Sequence, residues 1–129
     1  MPTGTGFLVV FIGAGIGGGL RHAVNLGAMR LGLTFPAGTL AINVIGSLVM
    51  GLIAEYFAFR SYLPPAWRLF LMTGILGGFT TFSAFSLDAA ALYERGETAA
   101  AAAYVLGSVV LSISALFLGL AIVRGLLKA

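Results

Sequence analysis

The chain has 129 residues, a formal net charge of +3, 60% hydrophobic and 9% charged residues, and a mean hydropathy of +1.08. A soluble domain carries about 25% charged residues, so these few charges cannot cover a water-facing surface, and one all-α integral membrane domain over residues 1–129 is expected. The absence of cysteine excludes a disulfide framework and a thiolate metal site, and the single histidine, His22, excludes a multi-histidine metal site within one subunit.

The basic residues stand at segment ends, which fits membrane flanks and not nucleic-acid binding. The N-terminus has no basic residue ahead of its long apolar run, so a cleavable signal peptide is not expected. Four spans are predicted, over residues 6–29, 36–57, 66–93 and 98–127. Each is long enough for a hydrocarbon core that needs about 20 residues.

Glycines crowd the first span at positions 13, 15, 17, 18 and 19, and the step from Gly13 to Gly17 lets helix backbones approach closely. Arg21 interrupts this span. It either snorkels to the interface or faces a water-filled vestibule and attracts anions.

Pro36 suits the start of the second span. Thr39, Asn43 and Ser47 share one face there by four-residue steps. The Asn43 amide needs partners in a dry environment, either on a neighbouring helix or as a donor lining a pathway. Glu55 and Arg60 mark the exit to water, and Pro64-Pro65 makes the connection a short extended turn.

The third span carries Gly74-Ile75-Leu76-Gly77-Gly78-Phe79-Thr80-Thr81-Phe82-Ser83-Ala84-Phe85-Ser86 at its centre. Adjacent glycines followed by two threonines predict unwinding from Gly77 to Thr81, hence two half-helices. Unwound backbone persists in a bilayer only where protein buries it or it lines a polar cavity, so a site is expected here. Free carbonyls at Gly77 to Thr80 suit a hard cation such as Na⁺. Phe82 and Phe85, three apart, point to one side. They either pack in a core or present their positive ring edges to an anion. Gly96 is the expected helix stop.

The fourth span opens on Ala99–Ala103, after which Tyr104, Ser108 and Ser112 form a hydroxyl stripe. Serines at this spacing either permit close packing or build a polar track.

The terminal side holds Arg60, Arg68, Arg124 and Lys128 against Arg30 and Arg95 on the other, with Arg21 assignable to the latter. So weak a bias sets no orientation, and an antiparallel homodimer would supply the inverted symmetry that larger transporters build from two halves. No hydrolytic or redox constellation is present, which argues against an enzyme. The polar inventory is mostly donors, which suits a small anion. A small dual-topology multidrug or cation exporter is the alternative, but its mechanism needs a carboxylate in the first span, and none is there. A non-transporting assembly subunit would leave the polar midmembrane residues without a role.

Gly77-Gly78-Phe79-Thr80-Thr81-Phe82-Ser83-Ala84-Phe85-Ser86 resembles the GG-x-TTFSTF signature of the Fluc/CrcB fluoride channels. Gly38-Thr39-Leu40-Ala41-Ile42-Asn43-Val44-Ile45-Gly46-Ser47 resembles that family's GT-x-x-x-N-x-x-G-S motif, and Gly17-Gly18-Gly19-Leu20-Arg21 its first-helix glycine–arginine element. Ala84 stands where the family more often has Thr, which removes a hydroxyl.

The resemblance implies a passive channel in the cell inner membrane that exports cytoplasmic F⁻ and relieves its toxicity. It implies an antiparallel dual-topology homodimer with two pores and a central structural Na⁺. By the same resemblance the carbonyls of Gly77 and Thr80 hold the Na⁺, and Phe82 and Phe85 are ring-edge fluoride sites. Asn43 donates in the pore, Tyr104 and the Ser108/Ser112 face form the fourth-helix polar track, and Arg21 is a vestibule charge. Thr39 joins the fluoride pathway as one of the hydroxyl donors of the polar inventory.

Overall fold

The computed structural model describes residues 2–128. It is all-helical. Helix α1 spans Thr3–Met29 and α2 spans Ala37–Phe59. The third span, Pro65–Glu94, begins with α3 (Pro65–Arg68), continues as a π-helical stretch over Leu69–Leu76 and a short α4 (Gly77–Phe79), and resumes as α5 (Phe82–Glu94). Helix α6 spans Thr98–Lys128. Four helices are thus long and apolar enough to cross a membrane.

The signals that end these helices are local. Pro36 caps α2, and Pro65 occupies the first turn of α3, where its missing N–H costs nothing. Gly96 ends α5 with φ +80°, and Glu97 N–H then closes onto the Leu92 carbonyl at 2.9 Å. Gly32, at φ +65°, turns the chain between α1 and α2. That turn is tied to the α5–α6 turn by Arg95, whose Nη2 donates to the Thr34 carbonyl at 3.2 Å and to Glu97 Oε2 at 2.8 Å. At the opposite end Arg124 donates to Glu55 at 2.8 Å, joining α6 to α2. Both links hold charged groups at the ends of spans, as the sequence anticipates for Glu55.

Packing comes in two pairs, α2 with α6 and α1 with the third span. Each is set by glycine. A Cβ on Gly51 would collide with the Leu116 carbonyl, and one on Gly119 with the Leu48 carbonyl. On the other pair, a Cβ on Gly13 would lie 2.8 Å from the Phe70 carbonyl oxygen, and one on Gly17 would collide with that of Ile75. The expected Gly13–Gly17 contact face is therefore real, whereas Gly15, Gly18 and Gly19 face open space. With lipid outside and inside equally apolar, such close backbone contact supplies the dispersion energy that hydrophobicity does not.

The buried interior is small. Tyr104 and Ile42 are fully buried, and Leu92, Ala101 and Tyr104 form its tightest cluster, flanked by Phe35 and Phe85. The many exposed large apolar side chains, such as Phe7, Phe11, Leu106 and Phe117, are the surface expected of a chain solvated by hydrocarbon.

Candidate functional site

The third span does break near its middle, but not where its glycines suggest. Gly77 keeps helical angles (φ −62°, ψ −37°), and helix persists through Phe79. The extended residues are Thr80 (ψ 154°) and Thr81 (φ −150°, ψ 117°). The predicted unwinding from Gly77 to Thr81 is thus corrected to two residues. Gly78 is needed for another reason: a Cβ there would collide with the Ala14 carbonyl, so it admits α1.

The threonines break the helix because side chains take over the backbone donors. Thr80 still donates its N–H to the Leu76 carbonyl at 3.0 Å, and its Oγ1 donates to the same oxygen at 2.8 Å. The next donor, Thr81 N–H, would continue the ladder onto the Gly77 carbonyl. It goes instead to Asn43 Oδ1 at 2.9 Å, and Asn43 Nδ2 returns a bond to the Thr81 carbonyl at 3.1 Å. Three residues on, Ala84 N–H would reach the Thr80 carbonyl in a continuous helix. It donates to Thr81 Oγ1 at 3.1 Å, which makes Thr81 the N-cap of α5. Gly77 and Thr80 therefore lose their i+4 donors to side-chain acceptors. The Gly78 carbonyl, between them, accepts from Arg21 Nε at 3.2 Å.

Beside the break lies a groove of about 400 Å³, between α2, the start of α5 and α6. Asn43, Ser47, Phe82, Phe85, Ser108 and Ser112 line it, and no charged side chain does. Gly46 in its wall leaves room for the Thr80 methyl, which a Cβ would strike. Phe82 and Phe85 stand together as their spacing predicts, centroids 5.5 Å apart and planes tilted by 58°. Phe82 is 79% exposed within the single chain, while Phe85 is half-buried against Tyr104 at 5.2 Å. Ser108 Oγ is buried and has no hydrogen-bond partner among the described residues. A buried hydroxyl without a partner is costly, and this one belongs to a residue of the groove wall.

Five of the eight residues singled out for a pathway thus meet in one groove: Phe82, Phe85, Asn43, Ser108 and Ser112. Tyr104, Thr39 and Arg21 are placed elsewhere. Tyr104 is fully buried behind Phe85, edge-on to Phe35 at 5.5 Å, and its hydroxyl donates to Asp88 Oδ2 at 3.1 Å. Thr39 is buried. Arg21 binds the break through Gly78. Thr81, the Asp88 partner of Tyr104 and the Arg21–Gly78 bond escape a reading by spacing. The register of Gly13 and Gly17 was the one available signal for the last, since it brings α1 against the broken span.

The family described as "CrcB-like protein, Camphor Resistance (CrcB)" matches residues 8–120. The chain belongs to this family. Within it, the chain is 64% identical over 117 residues to a protein of Methylobacterium nodulans named fluoride-specific ion channel FluC, covering 91% of this chain and 94% of that one. It is 61% identical over 121 residues to fluoride-specific ion channel FluC 2 of Nitrobacter hamburgensis, covering 93% and 98%. To the FluC of Granulibacter bethesdensis it is 60% identical over 123 residues, covering 95% and 97%. With its four spans, this CrcB-family chain is a multi-pass protein of the bacterial plasma membrane.

Proposed function

We propose that this chain is a passive fluoride channel, with F⁻ moving along the groove beside the helix break. The relatives named as fluoride-specific channels support the ion. The observation that carries the path is the Ser108 hydroxyl, buried and unpartnered in the wall of a groove without a charged side chain. F⁻ is small and strongly hydrated, so leaving water requires a close succession of donors. Ser108 and Ser112 offer hydroxyls. Asn43 keeps one N–H after bonding Thr81. Phe82 and Phe85 add positive ring edges. A larger halide fits such a file less well and recovers less from it.

The physiological logic follows from acid–base chemistry. Hydrogen fluoride crosses lipid when neutral, ionises in a near-neutral cytoplasm and is trapped as F⁻. A negative-inside potential then drives F⁻ out through a passive pore. Tyr104 stiffens Phe85 from behind, Thr39 is buried on the same side of α2 as Asn43, and Arg21 contributes positive charge near the break.

The assembly belongs to the same proposal. Phe82 is highly exposed and the groove is open on one side of a single chain. A second copy in the opposite orientation would close it and bring two breaks together. The freed carbonyls of Gly77 and Thr80 fit a structural Na⁺ there, because neutral hard oxygens suit a monovalent hard cation. Bound there, the cation would supply a fixed positive charge between the subunits.

Purified protein in liposomes, with voltage clamped by a K⁺ ionophore, should release F⁻ and retain Cl⁻. Equal release of the two ions, or release of neither, refutes the proposal. Proton-driven accumulation of a cationic dye would favour the exporter reading instead.

A further inference from the structure

We infer that Arg21 is a positioning residue for the cation site proposed above, acting through the Gly78 carbonyl and not only as a charge at a vestibule. The inference rests on that reading of the Gly77 and Thr80 carbonyls. Its basis is how the carbonyls around the break are shared out. In an unbroken helix, Gly77, Gly78 and Thr80 would accept from Thr81, Phe82 and Ala84. Thr81 and Ala84 give their N–H groups to Asn43 and Thr81 Oγ1, which frees Gly77 and Thr80. Gly78 alone of the three receives a replacement, the Arg21 Nε at 3.2 Å.

The rest of α1 is arranged to make that bond. Gly17 lies so close to Ile75 and Phe79 that no side chain fits, and Gly78 is as close to Ala14. Arg21 follows Gly17 by one turn, and α1 at this spacing delivers the guanidinium to the break. A side chain on Gly17 or Gly78 would push the helices apart and lengthen the bond. The Gly78 carbonyl also belongs to the peptide plane that leads into Phe79. Holding it restricts the backbone between Gly77 and Thr80, whose carbonyls must face a common ion.

Two effects of Arg21 oppose each other. Its charge repels a nearby cation, while its hydrogen bond pre-organises the ligands. Groups that hold metal ligands in place this way are worth about 10- to 100-fold in affinity. If pre-organisation wins, removing Arg21 weakens cation binding. If repulsion wins, removal tightens it.

The test titrates the thermal unfolding midpoint of the purified full-length protein in detergent with Na⁺, at constant ionic strength with N-methylglucamine as the replacement cation. Saturable stabilisation of the unsubstituted protein is expected. In Arg21→Gln the half-saturating Na⁺ concentration should rise about 10- to 100-fold. Arg21→Lys keeps the charge but replaces the fixed Nε donor with a rotating ammonium, and should shift in the same direction. It also serves as the folded comparison where Arg21→Gln does not fold. Fluoride flux through both variants should recover as Na⁺ is raised, which a vestibule charge alone would not produce. An unchanged or lower half-saturating concentration in Arg21→Lys overturns the inference and leaves the cation site standing. A lack of Na⁺ response in the unsubstituted protein overturns the cation site and the inference together.

Discussion

Asn43 and Thr81 exchange two hydrogen bonds across the membrane interior: Thr81 N–H donates to Oδ1 at 2.9 Å, and Nδ2 donates to the Thr81 carbonyl at 3.1 Å. The pair fixes the orientation of the amide, because only its oxygen can accept from a backbone N–H. It also locates the break. A helix loses its ladder at Thr81 since a side chain 38 residues away competes for the donor.

Asn43→Asp keeps the acceptor and replaces the donor with a negative charge. The Thr81 carbonyl then faces a carboxylate, and the groove loses an N–H that an anion would use. Fluoride flux in liposomes is expected to fall by at least about tenfold, which corresponds to about 1.4 kcal/mol on the barrier. Size-exclusion chromatography should show the assembly intact. Undiminished flux removes Asn43 from the path.

Phe82 is so exposed in the single chain that its substitution costs little within one subunit. Phe82→Ile should therefore slow fluoride flux on the order of tenfold while the unfolding midpoint moves little. Phe85→Ala differs, because it also removes the ring packed on Tyr104, and both flux and stability should drop. Equal flux for Phe82→Ile and the unsubstituted protein contradicts the ring-edge role.

Thr81 caps α5 through the bond from Ala84 N–H. Thr81→Ala should cost about 1 kcal/mol, because Ala84 N–H loses its acceptor while Asn43 still holds the break open through the Thr81 backbone. Thr81→Ser should restore the cap. Unfolding curves of the three proteins decide this, and an alanine variant as stable as the serine variant would speak against the cap.

Gly17→Ala places a methyl group against the Ile75 carbonyl and the Phe79 nitrogen. Overpacking of this kind costs about 1–3 kcal/mol. Gly125→Ala, with nothing within 4 Å of the added carbon, should be neutral or stabilising. Similar losses at both positions would mean that helix contact is not what Gly17 provides.

A reporter fused after Lys128 should label both membrane faces if the chain inserts in two orientations. Two lysines added next to Arg30 should shift the population to one orientation and reduce flux in proportion to the antiparallel pairs lost. Labelling on one face alone for the unaltered chain rules out dual topology.

Some of this architecture was legible because its causes are local. Hydropathy over about 20 residues defines a span, and Pro36 and Gly96 act on φ at their own positions. The donor-rich character of Asn43, Ser108 and Ser112 also needs no partner to be recognised. The resemblance of two motifs to a known family pointed to the broken third span, and membership in that family is borne out over residues 8–120.

What the sequence determined by itself, then, was the number of spans, their ends within a few residues, the presence of a broken third helix and five of the residues that line the groove beside it. Tertiary structure decided where the helix breaks, which carbonyls are freed and what Arg21 holds. These depend on competition between donors and acceptors far apart in the chain. Asn43 captures Thr81 N–H, and Arg21 reaches Gly78 across 57 positions. Glycine propensity favoured a break at Gly77–Gly78, but both residues stay helical. The missing side chain of Gly78 serves the approach of α1, whereas a Cβ on Gly77 would meet only the Met72 carbonyl at 3.7 Å. The hydroxyls of Thr80 and Thr81, together with Asn43, supplied the alternative hydrogen bonds that the unwound backbone requires in a medium without water.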